Sequence, residues 1–189
     1  MQSNYNIVLG SKSPRRKELL AGLGFHFTIK TKETDESFPS DLNTDLVAEH
    51  IAKKKADALV MYLTKNELLI CSDTVVIIED EILGKPKSEK EAIEMLQKLS
   101  GKTHKVTTGV ALFSSQKKHS FSVTTEVTFK RLSLEEIKFY VSHYKPFDKA
   151  GAYGIQEWIG YIGVAELNGS YFNVVGLPTA EVYKEILSF

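Results

Sequence analysis

The sequence predicts an α/β fold built on a mixed sheet, and three observations carry that prediction. Short β-branched apolar runs alternate with segments of helical periodicity along all 189 residues. One run, residues 68–79, is apolar and β-branched enough to form a central strand. Polar turn clusters at 114–118 and 168–169 separate runs that read as antiparallel hairpins.

The elements follow in order. Residues 5–9 read as a short buried strand broken by 10–14. Residues 15–23 read as a helix, with Leu19, Leu20 and Leu23 at helical spacing and Gly24 as its stop. A second strand covers 25–30, and the polar 34–43 segment, with Pro39, reads as loop. Leu46, Val47, Ile51, Ala52, Ala56, Leu59 and Leu63 mark a long helix over 45–63. After the central strand, Asp80-Glu81 turns the chain into Ile82-Leu83. Ser88 caps a helix reaching Leu99, with Glu91 placed to complete a capping box. Strands 105–113 and 120–129 form a hairpin, and Ser133 with Glu136 opens another helix. Residues 161–167 and 171–175 read as a hairpin around Asn168-Gly169, and Pro178 starts the last helix. No repeat, low-complexity tract or linker interrupts the chain, so residues 1–189 are expected to form a single domain.

Composition narrows the function classes. Lys+Arg and Asp+Glu both number 24, so net charge is zero and a long nucleic acid is not the expected partner. Any bound anion should be small and met by a local basic cluster. The one cysteine, Cys71, excludes an intrachain disulfide and fits a reducing compartment. The segment MQSNYNIVLGSKSPRR has no long apolar stretch, and no run approaches the ~18–20 residues that span a bilayer. A cytoplasmic protein without a membrane segment is the expectation.

Two constellations carry chemistry. The first is Ser11, Ser13, Arg15 and Arg16, where a strand turns into a helix. Ser13 suits the N-cap and Pro14 the first helical position. Arg15, Arg16 and Lys17 then fill the first turn, where the helix dipole makes each cation unfavourable by roughly 0.3–1 kcal/mol. A bound polyphosphate would reverse that sign, with free N–H groups, serine hydroxyls and two guanidinium forks aimed at it. Three solvated surface cations are the alternative. The second constellation is Asp73, which interrupts the apolar run Leu69 to Ile77. A buried carboxylate must be paired, metal-bound or at an open strand end. A metal ligand or general base is therefore expected, the alternative being a structural Asp between two shorter strands.

Lesser signals surround these two. Asp35 and Glu36, in a loop, are candidates for a second carboxylate toward Mg²⁺, although loop acids are usually only solvated. Lys53-Lys54-Lys55 reads as a solvated helix face of which one member could turn inward. Lys85, between Gly84 and Pro86, suits a phosphate contact. The small-residue stretch 148–156 lets a ligand approach the backbone, and the amide of Gln156 matches a base edge. Gly101-Lys102-Thr103 is not a P-loop, because Leu96 stands where the first glycine belongs. The five histidines lack zinc spacing, and Cys71 reads as core.

The segment Ser11-Lys12-Ser13-Pro14-Arg15-Arg16-Lys17-Glu18-Leu19-Leu20 resembles the SxSPRRxELL signature of the Maf proteins, which are nucleotide pyrophosphatases. Asp35-Glu36, Lys55-Ala56, Ser72-Asp73-Thr74, Lys85-Pro86, Leu99-Ser100-Gly101, the 148–156 stretch and Gly169-Ser170 through Pro178 fall in the same family order. The resemblance covers essentially the whole chain. It implies the Maf/inosine-triphosphatase-like fold, a twisted mixed sheet with flanking helices and two lobes around a deep cleft. It implies Asp73 as proton acceptor, Glu36 with Asp73 at a Mg²⁺ or Mn²⁺ site, and Arg16, Lys55 and Lys85 as phosphate contacts. Arg15, Thr74 and Gln156 would set substrate choice. The form of 148–156 resembles the dTTP/UTP pyrophosphatase subgroup, cleaving the triphosphate to monophosphate and pyrophosphate. Modified pyrimidine nucleotides are further candidate substrates, and a non-catalytic nucleotide-binding regulator of cell division is the competing class. The family also suggests a homodimer. Gly10, Cys71, Ser72 and Glu157 depart from the family's usual residues.

Overall fold

The computed structural model describes residues 3–189. The chain runs β1 (Asn6–Leu9), α1 (Pro14–Gly22), β2 (Phe27–Ile29), α2 (Thr44–Val60), β3 (Glu67–Ile78), β4 (Glu81–Leu83), α3 (Glu89–Leu99), β5 (Thr103–Phe113), β6 (Lys118–Phe129), α4 (Leu134–Tyr144), a 3₁₀ turn (Ala150–Ala152), α5 (Trp158–Gly163), β7 (Val164–Asn168), α6 (Tyr171–Val175) and α7 (Thr179–Ser188). The strands form one seven-stranded sheet in the order β2-β1-β3-β5-β6-β7, with β4 on β3. β1 pairs in parallel with β2 and β3, whereas β4 is antiparallel to β3 and β7 to β6, so the sheet is mixed as expected.

The chain divides into two compact units, one of residues 1–74, 108–123 and 176–189 and the other of 75–107 and 124–175. In the first unit the strands alternate faces with period two. Ile7, Leu9, Leu68, Ile70, Val110 and Leu112 join Leu20 of α1 and Val182 and Ile186 of α7 in one core cluster. Val8, Leu69, Cys71, Ala111 and Phe113 join Ala52, Ala56 and Leu59 of α2 in another. α1 and α2 therefore cover opposite faces. Because α1 leads from β1 to β2 and α2 from β2 to β3, the sequence of connections changes face beside β1. That makes the C-terminal end of β1 a topological switch point, where α/β sheets bind ligands.

The buried face of α2 carries Ala48, Ala52 and Ala56, one per turn, all fully buried. Small side chains at this spacing let the helix approach the sheet closely. The approach is closest at Gly109 in β5, where an added Cβ would lie 2.2 Å from the Glu49 amide nitrogen and 2.3 Å from the Ala48 carbonyl carbon. Nearby, Gly10 lacks a Cβ for a similar reason: that atom would lie 2.3 Å from the Cys71 Sγ. The thiol fills the volume that alanine at position 10 would need. Gly10→Ala is expected to lower stability by about 1–3 kcal/mol through overpacking. Cys71→Ala in the same chain should restore most of the loss, measured by the urea midpoint of each variant. Cys71 is thus core, as expected, and burial pushes its thiol pKa up to about 12.

The second unit packs α3, α4 and α5 around Val76, Leu96, Ile137, Phe129 and Tyr153. Its helix starts show how far capping patterns translate. Ser133 and Glu136 make the full reciprocal box. At α3, Ser88 accepts from the Glu91 N–H as expected, but the Glu91 carboxylate accepts from the Lys87 N–H instead of the Ser88 N–H. One larger expectation fails. Residues 158–163 are helix, 164–168 pair with β6, and Gly169, at φ 129°, delivers the chain into α6, not into a returning strand. Buried partners decide this. Ser170 N–H donates to Thr125 Oγ1 at 3.0 Å, and the Asn173 side-chain amide donates to Val106 O and Thr125 Oγ1, each at 2.9 Å. Those bonds hold 170–173 against β5 and β6 in helical form.

His104, 2% exposed, bonds through Nε2 to the Tyr153 hydroxyl at 2.7 Å and stacks edge-on against Phe129. Burial pushes its pKa from 6.5 down to about 4. The neutral ring is therefore favoured in the folded state, while the unfolded chain binds the proton more readily. The contribution is fully present above pH 6.5 and is lost as the pH falls toward 4, by about 3 kcal/mol in all. Denaturation at pH 7 and pH 4.5 should show this loss in the native protein and a smaller one in His104→Gln.

Candidate active site

The start of α1 is built as the sequence indicates. Ser13 is the N-cap, its Oγ accepting from the Arg16 N–H at 3.5 Å, Pro14 follows, and the Ser13 N–H donates to the buried Ser11 Oγ at 3.2 Å. α2, α3, α4 and α7 all place an acid in the first turn; α1 has none. Where the other long helices satisfy their dipoles internally, this one presents Arg15 and Arg16 and is suited to an external anion.

Arg16 has a second task that the sequence did not reveal. Its Nε donates to Gly176 O at 2.9 Å, one terminal nitrogen to Ser72 O at 2.8 Å, and the other to Thr74 Oγ1 at 3.1 Å. Three of the five guanidinium N–H groups thus tie α1 to β3 and to the turn before α7. Burial lowers its pKa, opposed by the charge of Asp73, while Arg15 lowers it further and Glu36 raises it. Thr74 is also engaged by Thr108 Oγ1 at 2.9 Å. Thr108 was missed, and its only signal was a polar Thr-Thr pair inside an apolar strand.

Asp73 is the seventh of the twelve residues of β3, in one continuous strand, so the reading of a turn between shorter strands does not hold. The pairing of β1 with β3 ends at Leu9 and Ile70. Asp73 therefore lies past the end of β1, at the switch point, although it is mid-strand in β3. It is 8% exposed and paired: Lys55 Nζ lies 2.6 Å from Asp73 Oδ1 and 2.7 Å from Glu36 Oε1. One ammonium thus holds two carboxylates that lie 37 residues apart in the chain. The adjacent Lys54 donates to Asp35 Oδ2 at 3.3 Å and Ser37 O at 2.8 Å, which fastens the loop carrying Glu36 onto α2. Lys55 is thus the member of the Lys53–Lys55 run that turns inward, while Lys53 stays exposed on the helix. Hydrogen bonds from Ser37 and Lys54 hold the exposed Asp35 carboxyl down at about 2.

The donor set around Lys55 fits a hard divalent cation in kind: two carboxylates that already converge on one positive charge. Among the described residues no group of three or more His, Cys, Asp or Glu side chains is placed to hold a metal alone. Such an ion would need oxygens from a substrate, as Mg²⁺ commonly does.

The other unit holds the remaining two expected residues. Lys85 is exposed in the loop after β4, whose Gly84 carbonyl accepts from the Gly151 N–H at 3.1 Å. Gln156 is half-buried in a turn closed by the Glu157 N–H on Gly154 O at 3.0 Å. Glu157, the departure beside it, is held by Lys149 at 3.1 Å and by the Tyr140 hydroxyl. Among the described residues, no helix is long and apolar enough to cross a membrane.

Comparison with known proteins identifies the family. The family model described as "Maf-like protein" matches residues 6–189. A relative from Bacteroides thetaiotaomicron named dTTP/UTP pyrophosphatase is 49% identical over 96% of this chain and 95% of its own. Relatives of the same name from Phocaeicola vulgatus, 51% identical over 96% and 95%, and from Flavobacterium psychrophilum, 49% identical over 98% and 95%, match as well. Among solved structures, the Ham1 protein of Staphylococcus aureus shares the fold at a TM-score of 0.54 and 18% identity, covering 95% of this chain and 99% of that one. The match over residues 6–189 and the relatives about half identical over nearly the whole chain lead to one assignment: this chain belongs to the Maf-like protein family.

Proposed function

We propose that the protein is a nucleoside triphosphate pyrophosphatase that hydrolyses dTTP and UTP to the monophosphate and pyrophosphate. The observation that carries this reading is the Glu36–Lys55–Asp73 arrangement past the end of β1. The names of relatives about half identical to this chain support it.

In this reading Asp73 accepts the proton of the attacking water. Its place in an apolar strand keeps competing water away, and Lys55 holds its carboxylate in position. Glu36 and Asp73 would hold Mg²⁺, or Mn²⁺, which when bound polarises the phosphate oxygens and offsets their charge. Lys55, the two remaining N–H groups of Arg16, and Lys85 then stabilise negative charge on the departing pyrophosphate, the main demand of phosphoryl transfer. Ser11, Ser13 and Arg15 position the phosphates at the start of α1. Gln156 reads the base, and Thr74 holds Arg16 in place. We place the enzyme in the cytoplasm on composition and the absence of a long apolar run in the sequence, and as a homodimer on the family resemblance alone.

The test is a product assay with Mg²⁺ and a panel of dTTP, UTP, CTP, GTP and their 5-methyl or 7-methyl forms. Monophosphate plus pyrophosphate, fastest from dTTP or UTP, is the expected result. Diphosphate plus phosphate would refute the proposed bond. Binding without cleavage would favour the non-catalytic regulator, which has no need of an acid in an apolar strand.

A further inference from the structure

A glutamine amide does not by itself distinguish uracil from cytosine. It presents one acceptor and an adjacent donor, and its terminal torsion is two-fold, so a half-turn exchanges them. One orientation matches the keto oxygen and ring N–H of uracil or thymine. The other matches the amino group and ring nitrogen of cytosine just as well. If Gln156 reads the base, something must fix which way round it stands.

The structure holds a candidate. A Cβ added to Gly154 would lie 2.9 Å from Gln156 Nε2, 2.9 Å from the Glu157 carboxylate carbon and 3.0 Å from Lys149 Cε. The amide nitrogen of Gln156 and the carboxylate of Glu157 thus both border the space left by the missing Cβ of Gly154. Glu157 is itself held at both carboxylate oxygens. Lys149 Nζ, on a side chain only 10% exposed, approaches Oε1 at 3.1 Å, and the Tyr140 hydroxyl donates to Oε2 while accepting the Gly154 N–H at 3.0 Å. Tyr140 is fully buried. A carboxylate has about four acceptor positions, and these two contacts leave others for an amide N–H. It attracts the NH₂ side of an amide and repels the carbonyl side.

We propose that Glu157, anchored by Lys149 and Tyr140, is a specificity-determining residue that locks the orientation of the Gln156 amide and so, in an enzyme for dTTP and UTP, favours keto pyrimidines over cytosine. The inference deepens the proposed function and rests on the reading of Gln156 as the base contact. The lock acts on discrimination and not on the bond cleaved, because none of the three residues is assigned to the phosphates.

The experiment compares kcat/KM for UTP and CTP in the native enzyme, Glu157→Gln, Tyr140→Phe and Gln156→Ala, with UMP and CMP binding measured by calorimetry. Glu157→Gln removes the charge at constant shape. It should lower the UTP-to-CTP ratio about tenfold, the scale of one misread hydrogen-bonding pair. The change should lie in KM and in CMP affinity, with kcat on UTP nearly unchanged. Tyr140→Phe, which loosens one anchor, should move the ratio the same way by less, and it serves as the test if Glu157→Gln does not fold. An unchanged ratio in the folded Glu157 variant, with Gln156→Ala abolishing discrimination, overturns the lock and leaves the base contact standing. An unchanged ratio in Gln156→Ala overturns the base contact and the lock with it.

Discussion

Asp73→Asn is expected to lower kcat by about 10³-fold while nucleotide binding persists, since a positioned general base contributes roughly 10²–10⁴. The substitution keeps the shape of a buried side chain in β3 and removes its charge. Lys55 retains Glu36 at 2.7 Å, so its ammonium is not left without a partner. Binding of dTTP should therefore remain within a few-fold, because the residues assigned to the phosphates, Arg15, Arg16, Lys55 and Lys85, are all kept. Rapid-quench product measurement with parallel calorimetry separates the two quantities. Turnover at the native rate would remove Asp73 from the proton-accepting role. Loss of binding equal to the loss of rate would make it a substrate ligand instead.

Gly109→Ala should be a strongly damaging small substitution, although it is far from Glu36, Lys55 and Asp73 in sequence. The new Cβ meets backbone atoms of Ala48 and Glu49 at 2.2–2.4 Å, and backbone has no rotamer to yield with. α2 must move away from β5. Overpacking of this kind costs about 1–3 kcal/mol and occasionally more, which for a chain of this size lowers the melting temperature by roughly 3–10 °C. The same displacement carries Lys55, one of its own residues, away from Asp73, where the present spacing is 2.6 Å. Activity should thus fall in the folded variant at temperatures where its circular dichroism is native. Gly22→Ala, with nothing within 4 Å of the added atom, is the control and should lower neither measurement. An unaltered melting temperature in Gly109→Ala would show that the helix can shift at little cost.

Gly109 also marks the line between what could be read in the chain and what could not. The sequence by itself determined the alternation of strands and helices, the N-caps Ser13, Ser88 and Ser133, and the burial of Cys71, because periodicity and capping act between residues a few positions apart. It also exposed the two unusual features of the site, cations at a helix start and an acid in an apolar strand, because each breaks a local rule. Local signals misled at Asn168-Gly169, a good hairpin turn on its own. There, bonds from Ser170 and Asn173 to Val106 and Thr125 settled the chain as helix. The roles of Arg16 and Lys55 were open for the same reason. The Arg16 fork reaches partners 56, 58 and 160 residues away, and Lys55 chooses its acids across 18 residues and a change of element. Such pairings have no period and no fixed spacing. They exist only once α1 and α2 are laid on opposite faces of the same strands, so only the tertiary structure could decide them.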